Sequence, residues 1–318
     1  MTKYVIHAQS HTQMTSGKAR EDLDVVAEEL GYQVLEESQF DDWKNQIRPD
    51  DIVLFPFPNK KGSEAGDLFM IKTILSFSAK IITLAYNVDY LRYPDADRAS
   101  IIEALENSHV VISMTEKMAE QLKQDGVTTP PITTLGLFDY LLDKTKKTPA
   151  NYKKEIIFAG SPYKVPYAAN WTNKTPLKVY SRREEFPEPN NGNLSYGGYF
   201  PPEQLPFEIK DGFGLIFDAD SDTGTFAEYQ TMNTPHKASL FLNAGVPILV
   251  NRRAAVANII LGLQAGIAID SVDDIDDVIK SLSKEEYDFM AKNALMASPL
   301  IANGYFYRKA IISAETLI

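Results

Sequence analysis

Cysteine is absent from this sequence of 318 residues. Without cysteine the protein has no disulfide bond, no thiolate nucleophile and no cysteine-ligated metal. The first six residues contain too short an apolar run for a signal peptide, and no apolar run approaches the ~18–20 residues that a membrane helix requires. These features predict a cytoplasmic protein with no membrane span.

Positive charge is also scarce. The sequence has 32 lysines and arginines against 43 aspartates and glutamates, which gives a formal net charge of −11 at pH 7. Binding to nucleic acid is dominated by neutralisation of phosphates, and attraction to a membrane surface depends on basic segments. We therefore expect no nucleic-acid partner, although local basic pockets are compatible with this balance.

Histidine is limited to His7, His11, His109 and His236. Their spacing offers no close pair with further ligands, as a zinc site would require, so we expect no bound metal. A Gly-x-Gly-x-x-Gly turn is missing as well, and this absence argues against a dehydrogenase that binds a dinucleotide.

What the sequence does contain is a regular alternation of strand and helix patterns. Short, unbroken apolar runs predict buried strands at residues 4–8, 52–55, 81–85 and 110–113. After the polar, proline-bearing residues 144–154 the alternation begins again, with strands predicted at residues 155–159, 177–181, 194–196, 213–217 and 248–250. Such alternation is typical of parallel sheets that are covered by helices on both faces.

We therefore predict an α/β protein with two Rossmann-like domains. The N-terminal domain covers residues 1–146, and the C-terminal domain covers residues 147–303. Residues 304–318 are predicted to form a helix that packs back toward the N-terminal domain. In open α/β sheets ligands bind beyond the carboxyl ends of the strands, so the segments that follow the strands are the candidates for a site.

The most informative local pattern lies at residues 233–251. Thr234 suits the N-cap of a short helix, and Gly245 suits its left-handed end. Lys237 lies in the first turn, where it opposes the helix dipole unless an anion binds nearby. We interpret this turn as a phosphate-binding site with His236 as a further donor. The alternative is a surface helix with a solvated lysine and histidine.

The order Pro-x-Lys, Ala-Gly-x-Pro and an apolar strand resembles the donor-binding segment of GT-B glycosyltransferases. More of the sequence resembles one GT-B group, the bacterial glucosyltransferases that extend a GlcNAc already attached to serine-rich-repeat adhesins. The segments that carry this resemblance are residues 157–162, 176–180, 199–205, 212–215 and 237–250. Many retaining GT-B enzymes have a glutamate three residues after the lysine, whereas this sequence has Leu240.

The resemblance implies a GT-B fold, with two Rossmann-like domains and a cleft between them. It also implies that the C-terminal domain binds UDP without a metal or other cofactor, and that the protein is a homotetramer. Lys237 matches the family's phosphate lysine, Tyr199 a tyrosine that contacts the nucleotide, and Lys164 an arginine on the diphosphate. The full set of donor-binding residues that we expect is Gly160, Ser161, Lys164, Tyr180, Ser181, Arg182, Tyr199, Thr234, His236 and Lys237.

The acceptor is expected beside the first strand–helix loop and after the strand at residues 81–85. Acceptor binding is assigned to Thr12, Ser16 and Asn87. His11 could act as a general base on an acceptor hydroxyl, with a surface histidine as the alternative. The related enzymes have His-Asp at the positions of Tyr86 and Asn87, so Asp89 is a second candidate base.

An acidic string, Asp218-Ala-Asp220, has a competing interpretation. It follows a predicted strand and matches the Asp-x-Asp motif with which metal-dependent, single-domain glycosyltransferases hold Mn²⁺ or Mg²⁺ against a diphosphate. That fold has its motif in the first half of the chain, and acidic residues often only solvate a strand end. We therefore prefer the interpretation without a metal.

The predicted function is transfer of a hexose, glucose or GlcNAc, from a UDP-sugar to a GlcNAc-modified serine-rich-repeat adhesin. Three alternatives stay open at this point. They are a galactofuranosyltransferase of exopolysaccharide synthesis, a non-catalytic nucleotide-sugar-binding subunit of a partner transferase, and a sugar epimerase with the same fold. Transfer to an acceptor, binding without turnover, and conversion of the donor alone distinguish these possibilities.

Overall fold

The computed structural model describes residues 1–7, 15–60, 62–187 and 192–318, and the backbone alone of Thr15 and Ser16. The chain divides into two units, each with its own parallel sheet. Unit 1 consists of Met1–Phe138 together with Gly304–Ile318, and unit 2 consists of Asp139–Asn303.

Unit 1 alternates strands with helices, as the sequence predicts. Its strands are β1 (Lys3–His7), β2 (Tyr32–Glu36), β3 (Ile52–Phe57), β4 (Lys80–Ala85), β5 (Val110–Ser113) and β6 (Ile132–Thr134). The helices between them are α1 (Thr15–Glu29), α2 (Phe40–Trp43), α3 (Glu64–Ser76), α4 (Arg98–Glu106) and α5 (Glu116–Asp125).

The sheet of unit 1 has the strand order β2-β1-β3-β4-β5-β6, and neighbouring strands are parallel. Every residue of β3 is buried, which explains its unbroken apolar sequence. The chain runs from β1 to β2 on one side and then returns to β3 on the other. The topological switch point therefore lies between the carboxyl ends of β1 and β3.

Unit 2 repeats this kind of alternation. Its strands are β7 (Asn151–Ala159), β8 (Leu177–Tyr180), β9 (Leu194–Gly198), β10 (Asp211–Ile216), β11 (Ile248–Asn251) and β12 (Gly266–Ile269). Its helices are α6 (Leu205–Glu208), α7 (Phe226–Tyr229), α8 (His236–Ala244), α9 (Ala257–Gly262), α10 (Ile275–Ser281) and α11 (Lys284–Ala302).

The sheet of unit 2 has the strand order β12-β11-β10-β7-β8-β9, again with parallel neighbours. A core cluster that includes Phe158, Phe213, Leu249 and Tyr287 packs against it. The chain fills β7, β8 and β9 in one direction and then crosses to β10. The switch point of this sheet therefore lies between the carboxyl ends of β7 and β10.

The last helix, α12 (Tyr305–Glu315), belongs to unit 1 although it follows unit 2 in the chain. The hydroxyls of Tyr86 and Tyr307 both donate to the backbone carbonyl of Ala19, at 2.8 Å each. Glu315 accepts hydrogen bonds from Lys3 Nζ and the Tyr32 hydroxyl, at 2.7 Å each. These bonds hold α12 against α1, β1 and β2.

Three strands were not anticipated, and all three lie at sheet edges. β2 and β6 are only partly buried and lack the unbroken apolar runs that mark the central strands, whereas β12 has a short apolar sequence that was not identified as a strand. The polar residues 144–154, which separate the two predicted series of strands, lie within unit 2, where β7 already begins at Asn151. Among the described residues, no helix combines the length and apolarity needed to cross a bilayer.

Candidate functional site

The switch point of unit 2 is where the sequence-predicted donor residues come closest to a common location. The segments after β7, β8, β9 and β10 all begin at the same end of the sheet, the carboxyl ends of its strands, because these strands are parallel. Helix α8, which connects β10 to β11, also begins at this edge. Open α/β sheets bind ligands here, outside the carboxyl ends of the strands.

Helix α8 is short and closely packed. Its residues from Lys237 to Ala244 are all buried, and it ends at Gly245 in the left-handed conformation (φ 64°), as predicted. Close approach to the sheet depends on Gly214 of β10, because a Cβ at that position would lie 2.5 Å from the Phe241 ring. The packing therefore fixes where the first turn of α8 lies relative to the end of β10.

The start of α8 differs by one residue from the prediction. Pro235 occupies the N-cap position with extended backbone angles, and its side chain makes no capping hydrogen bond. Thr234, predicted as the N-cap, precedes it and is buried. The first amide groups of any α-helix lack acceptors within the helix, so this end still attracts an anion.

Lys237 lies in the first turn of α8 and does not project into solvent. Only 9% of its side chain is exposed, and its Nζ donates to Asp218 Oδ1 at 2.6 Å. The same ammonium lies 4.5 Å from the centroid of the Phe158 ring, a favourable cation–π arrangement. A buried lysine that is paired and fixed in this way forms a defined cationic position at the switch point.

Asp218 is buried, although an acidic residue at a strand end was expected to be solvated. It is 6% exposed, and the side-chain amide of Gln230 binds both its backbone N–H (3.1 Å) and its carbonyl (2.6 Å). The Tyr167 hydroxyl donates to the carbonyl of the preceding residue, Phe217, at 2.5 Å. The bonds from Gln230 and Tyr167 fix the backbone around Asp218, and the Asp218 carboxylate in turn fixes the position of Lys237.

The two carboxylates of the acidic string have separate partners. Asp220 lies nearby on the same segment, and its carboxylate accepts from the backbone N–H of Ala227 at 2.8 Å. In the part of the chain that the structure describes, no group of three or more histidine, aspartate or glutamate side chains is arranged to hold a metal ion. The Asp218 carboxylate instead serves as the counterion of Lys237.

Lys164 lies in the segment after β7, beside the Asp218 segment. Gly160 turns the chain out of β7 with φ 133°, and Ser161 precedes a short 3₁₀ turn, Pro162–Lys164. The carbonyl of Lys164 accepts from the backbone N–H of Ala219 at 2.8 Å, and its Nζ lies 5.5 Å from the centroid of the Phe226 ring. The segments after β7 and β10 are thus joined directly.

Aromatic residues at the end of β8 and directly after β9 are also near each other. The rings of Tyr180 and Phe200 have centroids 6.1 Å apart, and burial raises the pKa of Tyr180 to about 12. Tyr199 is 43% exposed. Ser181 is buried, its carbonyl accepting from the Tyr196 hydroxyl at 3.1 Å, and Arg182 follows it as a half-buried residue.

His236 has a different environment from the one expected. Its ring stacks on Tyr140 with a centroid distance of 4.7 Å, and its Nε2 lies 3.1 Å from the carbonyl of Asp139. This arrangement engages Nε2 with backbone and weighs against its use on a phosphate. A role in donor binding stays a prediction for His236, as it does for Thr234, Ser181 and Arg182.

The predicted acceptor residues belong to unit 1 and are only partly described. His11 and Thr12 lie outside the described residues, and Ser16 falls in the first turn of α1 without a described side chain. Asn87 follows β4 and is half-buried. The roles of these four residues stay predictions.

Asp89, the second candidate base, is fully buried. Its Oδ1 accepts from the guanidinium of Arg92 at 2.7 and 2.8 Å. A carboxylate bound by an arginine and closed to solvent is poorly placed to accept a proton from a substrate hydroxyl. The catalytic role of Asp89 therefore stays a prediction that this geometry disfavours.

Comparison with known proteins gives the same result for both units. Residues 2–137 match the family model described as Glucosyltransferase 3-like, N-terminal domain, and residues 156–314 match the corresponding C-terminal domain. The chain is 30% identical to Glucosyltransferase 3 of Streptococcus gordonii over 268 residues, which cover 83% of this chain and 79% of the relative. It is 27% identical over 273 residues to the beta-1,6-galactofuranosyltransferase WbbI of Escherichia coli strain K12, with coverages of 82% and 78%.

Solved structures resemble the chain over nearly its whole length. Sucrose-phosphate synthase of Thermosynechococcus elongatus gives a TM-score of 0.66 at 7% identity and covers 99% of this chain and 98% of its own. HepE of Anabaena, solved in complex with UDP, gives 0.61 at 8% identity and covers 100% of both chains. At such identities the likeness concerns the fold alone. With the two parallel six-stranded sheets, it identifies the fold as GT-B.

Proposed function

The chain belongs to the glucosyltransferase 3-like family, and from this premise we propose that it is a glycosyltransferase that uses a UDP-sugar donor. The observation that supports the donor site most directly is Lys237, which Asp218 and Phe158 hold in the first turn of α8. A fixed cation at a helix N-terminus, at the switch point of a parallel sheet, suits the diphosphate of a nucleotide sugar.

In the proposed reaction the donor diphosphate lies against the start of α8, with Lys237 and Lys164 as its cationic contacts. Negative charge grows on UDP as its bond to the sugar breaks. Cations and helix amides that are already in position stabilise this charge without reorganisation. The Lys237 ammonium has three donors, so a bond to Asp218 is compatible with bonds to phosphate oxygens.

The aromatic residues at the end of β8 and directly after β9 suit the base of the nucleotide. Tyr180 is the last residue of β8 and Tyr199 directly follows the neighbouring strand β9, and Tyr199 is partly exposed. Uracil requires a flat apolar contact together with hydrogen-bond donors and acceptors. We therefore assign the uridine side of the site to these tyrosines, with Gly160, Ser161, Ser181 and Arg182 around them.

For the acceptor, we propose a GlcNAc that is already attached to a serine-rich-repeat adhesin, with glucose or GlcNAc as the transferred sugar. Relatives from Streptococcus gordonii and Streptococcus parasanguinis, both named Glucosyltransferase 3, support transfer of glucose. Unit 1 is assigned to the acceptor, since the carboxyl edge of its sheet is the second place in the fold that favours ligand binding.

A second candidate function is transfer of galactofuranose. It is favoured by the 27% identity to the galactofuranosyltransferase WbbI, which matches over a comparable length. Both candidates use a UDP-linked donor and the same diphosphate chemistry. They differ in the sugar ring, which has to be tested directly.

Further properties follow from this proposal. We propose that the reaction needs no metal, because Lys237 and Lys164 supply positive charge at the diphosphate and Asp218 is committed to Lys237. The expected measurement is a transfer rate that EDTA does not change. A homotetramer is proposed from the family, and light scattering would measure the assembly. A cytoplasmic location is proposed from the absence of cysteine.

The proposed function is tested by offering UDP-glucose, UDP-GlcNAc and UDP-galactofuranose with a GlcNAc-serine peptide. We expect one donor to bind in calorimetry and to transfer its sugar to the peptide. Lys164→Ala should weaken UDP binding about tenfold, as expected for loss of one charge-assisted contact. The matched control is Lys292→Ala, an exposed lysine of α11 in the same unit. Binding without transfer would favour a non-catalytic subunit, and conversion of the donor without the peptide would favour an epimerase.

A further inference from the structure

A histidine–carboxylate pair lies at the switch point of unit 1. His7 is the last residue of β1, and its Nδ1 is 2.5 Å from Oδ2 of Asp24 on α1. Their side chains are 21% and 12% exposed. A carboxylate on Nδ1 fixes the neutral imidazole in the tautomer that carries its proton on Nδ1. The lone pair then lies on Nε2, which is able to accept a proton.

The surroundings of this pair connect it to two more strand ends. Arg20, on α1 one turn before Asp24, donates to the carbonyl of Pro58, directly after β3. Its guanidinium also lies 5.1 Å from the centroid of the Tyr86 ring, directly after β4. The pair is therefore part of a polar cluster at the edge where an open α/β sheet binds its ligand.

Several charged groups around the pair act on its carboxylate. Burial raises the pKa of Asp24 to about 6, while the hydrogen bond and charge of His7, and then the charge of Arg20, oppose the increase. Glu28 on α1 raises it slightly, and Glu36 on β2 is the register partner of His7. Strand β3 contributes no titratable side chain.

We propose that His7 is the general base of the transfer reaction and that Asp24 is its positioning residue, an inference that rests on the proposed function. Nε2 of His7 takes the proton of the acceptor hydroxyl, and the hydroxyl oxygen forms a bond to the anomeric carbon of the donor sugar. The bond from that carbon to the β-phosphate oxygen breaks, and UDP leaves with the electron pair. Asp24 stabilises the imidazolium until its proton passes to water.

This mechanism has a stereochemical consequence. Direct displacement by an activated hydroxyl inverts the anomeric carbon, so an α-linked UDP-sugar gives a β-linked product. Nuclear magnetic resonance of the product measures the configuration. Retention of configuration would overturn the proposal, because a single displacement assisted by one base cannot produce it.

A second measurement does not depend on turnover. Nitrogen-15 resonances of the His7 ring report which nitrogen carries the proton, and we expect Nδ1–H in the wild-type protein at pH 8. In Asp24→Asn the preference for this tautomer should be lost. A ring protonated on Nε2 in the wild type would overturn the proposal. This measurement needs no turnover, so it stays decisive if the protein uses none of the tested donors. Kinetics without turnover would count against the proposed function alone.

The kinetic test compares two histidines of unit 1. His7→Gln is expected to lower kcat by about 10²–10⁴-fold, the usual contribution of a general base, and to remove the acid limb of the pH–rate profile. Donor affinity, a property of unit 2, should stay within twofold of wild type. His109→Gln is the control, since His109 is an exposed residue whose Nδ1 accepts from the backbone N–H of Ile81 at 3.2 Å.

Two further variants separate catalysis from folding. Asp24→Asn keeps the shape of the side chain, and we expect it to lower kcat while shifting the acid limb of the profile. His7→Ala should regain activity when imidazole is added to the assay, which a purely structural loss would not. Near wild-type turnover in His7→Gln, with the acid limb intact, would overturn the role of His7.

Discussion

The two sheets share an architecture and differ in the residues at the carboxyl ends of their strands, the edge where open α/β sheets bind ligands. Each is six-stranded and parallel, with its switch point beside its first strand. At that edge unit 2 has the buried Lys237–Asp218 ion pair, whereas unit 1 has the His7–Asp24 pair. One edge suits a diphosphate and the other suits transfer of a proton. The comparison teaches that topology fixes where chemistry can occur, and that the residues after the strands decide which chemistry it is.

The helices that follow the switch strands differ in a related way. Helix α8 of unit 2 packs Phe241 against Gly214, and its residues from Lys237 to Ala244 are all buried. Helix α3 of unit 1 exposes Phe69, and the space around Gly66 is open. The helix that carries the cationic site is therefore the more tightly fixed of the two, as preorganised electrostatics requires.

The largest expected effect comes from removing the cation of unit 2. Lys237→Ala should lower kcat/KM by about 10²–10³-fold, because a preorganised charge on the leaving group is lost. It should also destabilise unit 2 by about 3–5 kcal/mol, since Asp218 is left buried without its partner. Steady-state kinetics and thermal unfolding measure the two effects.

A double variant separates these effects. Replacing both Lys237 and Asp218 by leucine removes the pair without leaving a buried charge, and such replacements often restore stability. We expect the melting temperature to recover while transfer stays impaired. Recovery of transfer in the double variant would show that the cation of unit 2 is dispensable, and the contrast between the two edges would be lost.

The next effect is a dependence of stability on pH, which differs between the two units. Burial raises the pKa of Asp24 from 3.8 to about 6, so the folded state binds this proton more tightly than the unfolded state. The contribution of Asp24 to stability is therefore present at low pH and falls by up to about 3 kcal/mol as pH rises from about 4 to about 6. Hydrogen exchange of α1 at pH 4.5 and 6.5 should show this decline in wild type and not in Asp24→Asn.

Glu155 of unit 2 serves as an internal control, because its contribution to stability changes with pH in the opposite direction. Burial favours a raised pKa for Glu155, but hydrogen bonds from Lys178 and Lys153 outweigh it and lower the pKa. Its contribution to stability is present above the unfolded pKa and is lost as pH falls. An equal dependence on pH in Asp24→Asn and wild type would contradict the assignment of the decline to unit 1.

A smaller effect tests the fixed position of α8. Gly214→Ala places a Cβ 2.5 Å from the Phe241 ring, so the helix has to shift or the sheet has to distort. Overpacking of this kind costs about 1–3 kcal/mol. We expect a weaker affinity for UDP together with the loss of stability. An unchanged affinity would mean that the position of α8 is not critical for the site.

The smallest effect is expected at the counterpart helix. Gly66 lies in α3 with no heavy atom near the position of an added Cβ, and its φ is not in the left-handed region. Gly66→Ala should stabilise unit 1 by about 0.5–1 kcal/mol, because alanine favours the helix and restricts the unfolded chain. Denaturant unfolding measures this change, and a loss of stability would show that α3 is packed more closely than its open surroundings indicate.

The sequence was sufficient for the features that depend on a few neighbouring residues. The stop of α8 at Gly245 is confirmed, because a glycine that adopts the left-handed conformation at a helix end is a local signal. Central strands such as β3 and β11 were found because burial on both faces leaves an unbroken apolar run. Edge strands such as β6 carry no such signal.

Pairs of side chains that are distant in the sequence and meet only in the fold could not be predicted from the sequence. Lys237 was recognised from its place in the helix, but its partner Asp218 lies 19 residues earlier and only the sheet brings the two together. His7 and Asp24 are 17 residues apart and meet because α1 folds back along β1. Local propensity gives no information on such pairs, since their geometry depends on strand order and register.

The discontinuity of unit 1 has a consequence for how the protein is made. A ribosome completes every residue of unit 2 before it releases α12, the helix that unit 1 needs. Until then the Lys3 ammonium and the Tyr32 hydroxyl lack the bonds that Glu315 provides, and the carbonyl of Ala19 has the Tyr86 hydroxyl as a donor without that of Tyr307. The part of the chain that is translated first is therefore the part that matures last.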